Sequence, residues 1–205
     1  MPRQAGLTRR GPLSRQQIVE AGLESVRAGQ YEQMTIRSLA AGLGVAPMAL
    51  YRHVRDKDDL LVEVTDRLLA ETWRPRVRPT NWKNWVTDVA ERLRKLLVTQ
   101  PAALHVYLRQ PVTSPAAVAR MDTTLDVLGR AGLTPEEAGR AFAAIQTYTI
   151  GFAALEASRV RWQPDPEVVD PTADRLAAFT TPAQFLNGLH LLLDGIERGI
   201  ADLTR

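Results

Sequence analysis

The stretch VAPMALYRHVRDKDDLL, residues 45–61, gathers side chains that donate hydrogen bonds or carry positive charge. Tyr51, Arg52, His53 and Lys57 lie close together in it, beside the apolar residues of a short helical pattern. The buried face of a core helix has no use for these donors, whereas the phosphate oxygens of a nucleic acid accept hydrogen bonds from all of them. The stretch therefore indicates a surface that contacts a polyanion.

The positive charge of the chain is concentrated at its beginning. The net charge is only +3 over 205 residues, but residues 1–55 contain eight basic and three acidic residues, and the remainder carries a slight excess of acids. A basic segment of this kind suits a nucleic acid as partner. Chance asymmetry is the alternative that charge alone leaves open.

Composition excludes several classes of site. The chain contains no cysteine, so disulfides, thiolate nucleophiles and cysteine zinc sites are ruled out, and a cytoplasmic location is expected. The N-terminal MPRQAGLTRRGPL lacks the apolar core of a secretory leader, and no apolar run approaches the roughly 20 residues of a membrane span, so no membrane association is expected.

Catalytic signatures are missing as well. The sequence has no HExxH, GxSxG or Walker-type glycine loop, and its three histidines are far apart. We therefore expect no enzyme activity, no metal site and no cofactor. Clustering of residues that are distant in sequence is the alternative left open.

Helical periodicity runs along the whole chain and predicts an all-α fold. Ser14, Asn81 and Ser114 are predicted N-cap residues, and a first helix starts after Ser14. Thr35 caps a second helix with apolar residues at helical spacing, Gly44 supplies the turn, and Pro47 suits the first turn of a third helix over 46–54. These features predict an N-terminal three-helix domain with a helix-turn-helix, whose last helix enters the major groove in DNA-binding proteins.

The helix-turn-helix assigns roles to its exposed residues. Small residues at 46–49 allow close approach to base edges, and Met48 and Ala49 suit contact with a thymine methyl group. Hydroxyl, imidazole and ammonium groups suit phosphate. A helical hairpin within a core is the alternative, with Tyr51 structural and Arg52 merely solvated. The predicted DNA-binding residues are Thr35, Arg37, Pro47, Met48, Ala49, Tyr51, Arg52, His53 and Lys57.

Longer helices follow, and the prolines at 75 and 79 mark a break between two parts of the chain. We predict one domain over 1–60, with a flexible basic arm at 1–13, and a larger helical domain over 61–205. The other predicted helices cover about 57–73, 82–98, 101–108, 114–131, 135–160 and 182–203, with a loop at 162–181.

The segment RQQIVEAGLESVRAGQYEQMTIRSLAAGLGVAPMALYRHVRDKDDLL resembles the N-terminal domain of the tetracycline-repressor (TetR) family. The resemblance implies a homodimeric transcriptional repressor that binds a palindromic double-stranded DNA operator. It further implies that a small-molecule effector bound by the larger domain releases the operator. A ligand-independent DNA-binding regulator, or an activator of the same fold, remains the alternative.

The segments NWKNWVTDVAERLRKLL and LDVLGRAGLTPEEAGRAFAAIQTYTIGFAALE resemble the tetracycline-repressor subgroup of that family. In that subgroup a histidine that holds a drug-chelated magnesium stands where this chain has Tyr107, and another pocket histidine falls near Thr147. The resemblance therefore does not extend to the magnesium–drug complex.

The larger domain, on this resemblance, contains a cavity with a mostly apolar lining and a few polar groups. Because the sequence shows no paired acids and no metal-ligand spacing, it predicts a small neutral effector that is hydrophobic or aromatic. Core filling is the alternative for each aromatic residue, and Gln146 could instead face a partner subunit. The predicted ligand-binding residues are Trp73, Trp85, Leu93, Tyr107, Thr124, Phe142, Gln146 and Thr149.

The last helix carries a broad apolar stripe, which predicts pairing with a second copy of the chain in a four-helix bundle. Burial within one chain is the alternative. The predicted stripe consists of Phe185, Leu189, Leu192, Leu193, Ile196 and Ile200, and the small residues opposite it are Gly151, Ala153, Ala154 and Ala157.

Overall fold

The computed structural model describes residues 13–73, 81–109, 113–161 and 179–203. Within these ranges the chain forms nine α-helices and no strand, which confirms the all-α prediction. Nearly all of the predicted basic arm and of the loop at 162–181, and the break at 75 and 79, lie outside the described residues. The helices are α1 Arg15–Arg27, α2 Ile36–Leu43, α3 Pro47–Tyr51, α4 Lys57–Thr72, α5 Trp82–Thr99, α6 Pro101–Arg109, α7 Pro115–Arg130, α8 Pro135–Arg161 and α9 Pro182–Leu203.

Short polar residues start several helices. The side chains of Ser14 and Thr35 accept hydrogen bonds from the backbone N–H groups of Gln17 and Ser38, whose side chains accept in return from the cap backbone. Such a reciprocal pair satisfies two N–H groups that a helix leaves free at its start. Asn81 caps α5 in the same position. The predicted caps at these three residues are confirmed.

The chain divides into two compact units, Met1–Val64 and Thr65–Arg205, and α4 continues across the boundary. The assignment of DNA binding to one unit and of effector binding to the other stays a prediction.

The first unit packs α1, α2, α3 and the first part of α4 around a common core. Leu50 and Leu60 are fully buried in it. Gly22 permits the close approach of α1 and α4, because a Cβ there would lie 3.1 Å from Val64. Gly44 ends α2 at φ 70°, the left-handed conformation that glycine adopts most readily. The predicted turn of the helix-turn-helix is therefore confirmed.

Helix α3 is shorter than predicted, since it ends at Tyr51 and not at residue 54. The backbone N–H groups of His53 and Val54 both donate to the carbonyl of Leu50, at 2.8 and 3.0 Å. These two bonds close a turn in place of a further helical turn. Val54 is nevertheless 1% exposed, so the turn still anchors the end of the motif in the core.

The second unit is built from α5–α9 and the later part of α4. Its apolar core includes a ring cluster in which Phe185 lies 5.3 Å from Phe152 and 5.4 Å from Tyr148, between centroids. The Tyr148 hydroxyl donates to the carbonyl of Phe185 at 2.9 Å. These contacts fix α9 on α8.

Three of the six residues of the predicted stripe of α9 are buried within the same chain and the other three are half-buried, and pairing with a second copy stays a prediction. Phe185, Leu189 and Leu193 are each 0% exposed, and Ala153 and Ala157 of α8 are also buried. The reason is that α9 packs against both α5 and α8, which together cover this face. Two other leucines remain strongly exposed on these helices, Leu155 at 63% and Leu191 at 72%.

Candidate DNA-binding surface and effector cavity

Helix α3 presents an exposed face above a buried anchor. Met48 is 69% exposed and Tyr51 is 49% exposed, and Pro47 and Arg52 are exposed beside them. Positions i, i+1, i+4 and i+5 lie on one side of a helix, and the fully buried Leu50 faces the other way. A five-residue helix held through one leucine can therefore place its remaining side chains against a ligand as large as a duplex.

Two arginines of the first unit are available for phosphate. Arg37 and Arg52 are exposed and have no hydrogen bond or ion pair with any described residue. Arg15, by contrast, is neutralised within the chain, because it pairs with Glu63 and with Asp59, the latter at 3.5 Å. The pattern leaves positive charge on the side of the helix-turn-helix.

Asp59 holds the end of the motif together. Its carboxylate accepts hydrogen bonds from the backbone N–H and the guanidinium of Arg55, both at 3.0 Å. Burial alone would raise the pKa of Asp59, but these hydrogen bonds and the charges of Arg55 and Arg15 lower it below its usual value. The carboxylate is therefore ionised at neutral pH.

Lys57 and Thr35 are less free than their sequence positions suggest. The Lys57 ammonium donates to the carbonyl of Tyr31 at 2.7 Å and lies 4.6 Å from the centroid of its ring. The Thr35 hydroxyl accepts from the N–H of Ser38 as a cap. Ala49 and His53 are half-buried. Contacts of these residues with DNA stay predictions, and Lys57 would have to exchange its carbonyl partner for a phosphate.

A small cavity lies among α5, α7 and α8 in the second unit. Its volume is about 10 Å³, which is close to the room that a single water needs. Five residues of the predicted ligand-binding set line it, and five more were not anticipated. The former are Leu93, Thr124, Phe142, Gln146 and Thr149, and the latter are Val86, Val89, Ala90, Arg120 and Ile145.

The other three residues of the predicted set do not line this cavity. Trp85 is 7% exposed in the core and meets Trp73 edge to face at 5.9 Å between centroids. The Tyr107 hydroxyl is buried without a hydrogen-bond partner among the described residues. Burial raises the pKa of Tyr107, and the nearby charge of Arg120 opposes this only in part. The phenol therefore stays neutral and keeps its hydrogen to donate.

Sequence reasoning missed two buried arginines, Arg94 on α5 and Arg120 on α7. The signal was present, since Arg120 lies four residues before Thr124 on the inward face of α7, where side chains are small or apolar. A charged residue in such a stripe requires a partner, because an unpaired charge is costly to remove from water. Its partner could not be read from the sequence.

The threonines of the cavity use their own hydrogens within their helices. Thr124 donates to the carbonyl of Arg120 and Thr149 to that of Ile145, each at 2.7 Å. Their oxygens can therefore only accept, and the donors left near the cavity are the guanidinium and the Gln146 amide.

No group of three or more histidine or acidic side chains suited to a metal ion occurs in the ranges that the structure covers. In the same ranges no helix has the combined length and apolarity of a membrane span.

Comparison with known proteins yields relatives along the whole chain. The HTH-type transcriptional repressor DrrR1 of Streptomyces coeruleorubidus is 31% identical over 152 residues, 70% of this chain and 55% of that protein. An HTH-type transcriptional regulator of Saccharopolyspora erythraea is 29% identical over 144 residues, 70% of this chain and 61% of that protein. The chain thus spans little more than half the length of these two relatives. The tetracycline repressor protein class C of Escherichia coli is 27% identical over 200 residues, 92% of this chain and 88% of that protein.

The fold is that of solved helical regulators. Apo ActR from Streptomyces coelicolor superposes with a TM-score of 0.76 at 23% identity, covering 95% of this chain and 99% of that one. ActR in complex with actinorhodin gives 0.75 at 22% identity, covering 93% and 98%. At this identity the likeness establishes the fold alone.

Two family descriptions match successive parts of the sequence. Residues 18–64 match "Bacterial regulatory proteins, tetR family", and residues 75–183 match "Tetracyclin repressor-like, C-terminal domain". The second match alone covers more than half of the chain, and the first ends at the boundary between the compact units. The chain therefore belongs to the TetR family of bacterial regulatory proteins.

Proposed function

We propose that this protein is a ligand-responsive transcriptional repressor that binds a palindromic DNA operator as a homodimer and releases it when a small effector binds in the second unit. The exposed face of α3 above the buried Leu50 carries the proposal. The role is regulatory and not catalytic, and it is exercised on DNA in the cytoplasm.

The first unit meets the operator through α3. Pro47 and Met48, at the start of that helix, face base edges in the major groove, where Met48 packs against a thymine methyl group. Arg37 and Arg52 bind phosphates, which supply affinity and fix orientation without reading sequence. Support comes from their exposure and from the lack of any partner for either arginine among the described residues.

Two copies associate through α8 and α9. The exposed Leu155 and Leu191 lie on these helices, and the exposed Gly151 of α8 leaves room for close helix approach. A two-fold axis brings the same residues of both chains together. The dimer then holds two α3 helices about 34–36 Å apart, the separation of successive major grooves.

Helix α4 couples effector to operator. It continues from the first unit into the second, where Asp66 accepts a hydrogen bond from the N–H of Ala116 at 2.8 Å. Ser114 is the N-cap residue of α7, as predicted, but its hydroxyl makes no capping bond, and the Asp66 carboxylate caps the helix instead. An effector that displaces α7 pulls on α4 and alters the spacing of the α3 pair. It acts only through its different affinities for the two arrangements.

Selection of bound sites from random duplex DNA by the purified protein tests the proposal. A palindromic consensus is the expected result, and it would establish two-fold binding together with DNA recognition. Failure to enrich any sequence, with a protein that stays monomeric at working concentration, would refute it.

Arg37→Ala tests the phosphate contact. Each lost phosphate contact changes the slope of log affinity against log salt by about 0.9, so two copies remove about 1.8, equivalent to about tenfold between 50 and 200 mM salt. Arg92→Ala, an exposed arginine of the second unit paired with Asp88, is the matched control and should leave the slope unchanged. Equal slopes for both variants would contradict the assignment.

Met48→Asp tests the groove contact. The change introduces a negative charge on an exposed side chain, so it should weaken operator binding at least several-fold while leaving the fold intact. Circular dichroism checks the fold, and undiminished binding would place the groove contact elsewhere.

The second candidate is a DNA-binding regulator that needs no ligand, or an activator of the same fold. The small volume of the cavity favours the ligand-independent regulator, because it leaves little room for an effector. Phe142→Ala separates the readings because it enlarges the cavity without touching the first unit. If the protein is a ligand-responsive repressor, Phe142→Ala should change the response to the effector more than it changes the affinity for DNA. A reporter gene behind the selected operator gives the sign of regulation.

A further inference from the structure

Arg120 is a buried cation that forms no ion pair in the part of the chain that the structure covers. Its side chain lies on α7 with the residue 7% exposed, and it borders the cavity. One guanidinium nitrogen donates to the Gln146 amide oxygen at 2.5 Å, while Nε is buried without an acceptor. A neutral amide leaves the charge uncompensated, and one of the planar donors remains unused.

The same unit contains the usual arrangement for comparison. Arg94, 9% exposed, donates from Nη1 to both carboxylate oxygens of Glu156, at 2.6 and 2.8 Å. Its Nε is buried without an acceptor among the described residues, as in Arg120, so the two arginines differ in whether the charge is paired. Buried charges are generally paired in this way, because removal from water is otherwise too costly. Arg94 therefore has its anion within the chain, whereas Arg120, buried to the same degree, does not.

Neighbouring groups do not supply a negative charge that pairs with Arg120. The Tyr107 hydroxyl is buried beside Arg120, whose charge and hydrogen bonding lower the pKa of the phenol against the larger, opposite effect of burial. Asp66 also influences Tyr107, but its carboxylate accepts from the N–H of Ala116 and forms no ion pair with Arg120. Tyr107 does not line the cavity, so the unpaired charge at the cavity wall is that of Arg120 alone.

The rest of the cavity wall is apolar. Val86, Val89 and Leu93 of α5 form one side, and Phe142 and Ile145 of α8 form another. The ring of Phe142 lies 5.7 Å from the guanidinium carbon, so the apolar wall and the charge adjoin. A ligand that satisfies both needs an apolar body with an anionic oxygen at one end.

We infer that the effector is an amphipathic organic acid whose carboxylate or phenolate oxygen pairs with Arg120 while its hydrocarbon or aromatic body lies against α5 and α8. This inference rests on the proposed function, because it takes the cavity as the effector site. It replaces the neutral ligand that the sequence alone predicts. A guanidinium binds a planar carboxylate through two parallel hydrogen bonds, and the free Nε completes such a pair.

A first test needs no ligand. Arg120→Met should raise the melting temperature of the unliganded protein by about 2–4 °C, because it removes an unpaired buried charge. Arg94→Met, the matched control, should lower it, because it strands Glu156. If Arg120→Met lowers the melting temperature by as much as Arg94→Met does, Arg120 is a structural residue and the inference is overturned.

A second test uses defined probes. Aromatic carboxylates and their primary amides, beginning with 2-naphthoate and 2-naphthamide, are titrated calorimetrically into the wild-type protein. The acid should bind at least about tenfold more tightly than its amide, the gain expected of a charged hydrogen bond. Arg120→Met should abolish that preference, and Arg120→Lys, which retains the charge, should keep part of it.

Three results would refute the assignment: no acid in the panel binds, acid and amide bind equally, or Arg120→Met leaves the preference intact. Repeating the titration in chloride and in gluconate separates organic acids from a small inorganic anion. Stabilisation by chloride with no binding of any acid would also overturn it.

Operator binding on the same preparations distinguishes this inference from the proposed function. If only a neutral compound releases the selected palindrome, the inference of an acidic effector is refuted and the proposed repressor function stands. If the protein binds an acid tightly through Arg120 but selects no DNA duplex, the proposed repressor function is refuted and the anion site stands.

Discussion

The ion pair between Arg94 and Glu156 joins α5 to α8, the two helices that form most of the wall of the cavity. Both residues are 9% exposed, and the guanidinium carbon also lies 5.2 Å from the ring centroid of Phe185. We predict that removing either member destabilises the second unit strongly, while removing both does not. The variants are Arg94→Met, Glu156→Leu and the double change.

The magnitudes follow from the near-complete burial of the pair. Breaking a buried pair by removing one partner costs about 3–5 kcal/mol, and replacing both with apolar residues of similar size is close to neutral. At about 2–4 °C per kcal/mol for a chain of this length, a loss of about 3 kcal/mol lowers the melting temperature by about 6–12 °C. Glu156→Leu should lower the stability more than Arg94→Met does. It leaves the Arg94 guanidinium unpaired, which cannot lose its proton, whereas Arg94→Met leaves a carboxylate, which can become neutral by taking one up.

Urea unfolding followed by tryptophan fluorescence measures these changes. All four tryptophans lie at position 73 or later, so the signal reports on the second unit. Protomer concentration is held fixed, because association shifts apparent stability. The double variant should recover most of the loss, and the cost of Arg94→Met should shrink as pH falls. If the two single losses simply add in the double variant, the pair is not coupled and the reasoning fails.

Two further predictions concern other residues. Gly188→Ala should destabilise the protein by about 1–3 kcal/mol, because a Cβ there would lie 2.9 Å from Cζ of Tyr148. Gly139→Ala should stabilise it by about 0.5–1 kcal/mol, because a Cβ there meets nothing within 4 Å. Thermal melts measure both changes, and similar shifts in melting temperature for the two variants would contradict the prediction. Asp59→Asn should destabilise by about 1 kcal/mol at neutral pH, since the lowered pKa of Asp59 means that its ionised form, bound by Arg55, stabilises the fold. That contribution is present above about pH 4 and is lost as pH falls through the folded-state pKa of Asp59. The free energies of unfolding of the wild type and Asp59→Asn should therefore converge in acid. A constant difference between pH 3 and pH 7 would refute the assignment.

Local structure was predictable because its causes are close in sequence. Ser14, Thr35 and Asn81 cap helices through groups three residues away, and Gly44 adopts the left-handed turn that its lack of a side chain allows. Such signals need only a few neighbouring residues. The all-α fold and the helix-turn-helix follow from them.

Features that depend on packing were not predictable. Arg94 pairs with a residue 62 positions away, and no local pattern names that partner. The stripe on α9 was apolar as expected, yet a stripe does not say whether its own chain or a second copy covers it. Ser114 occupies the expected N-cap position, yet the capping hydrogen bond is accepted by Asp66, which α4 brings to the start of α7. The predicted DNA and ligand contacts stay predictions.

The small volume of the cavity has a kinetic consequence. Space for about one water cannot admit an aromatic acid, so the helices around it must part before such a compound enters. If parting precedes entry, the observed association rate levels off at high ligand concentration, at the opening rate of the protein and far below the diffusion limit. Stopped-flow traces that bend over in this way would time the opening itself.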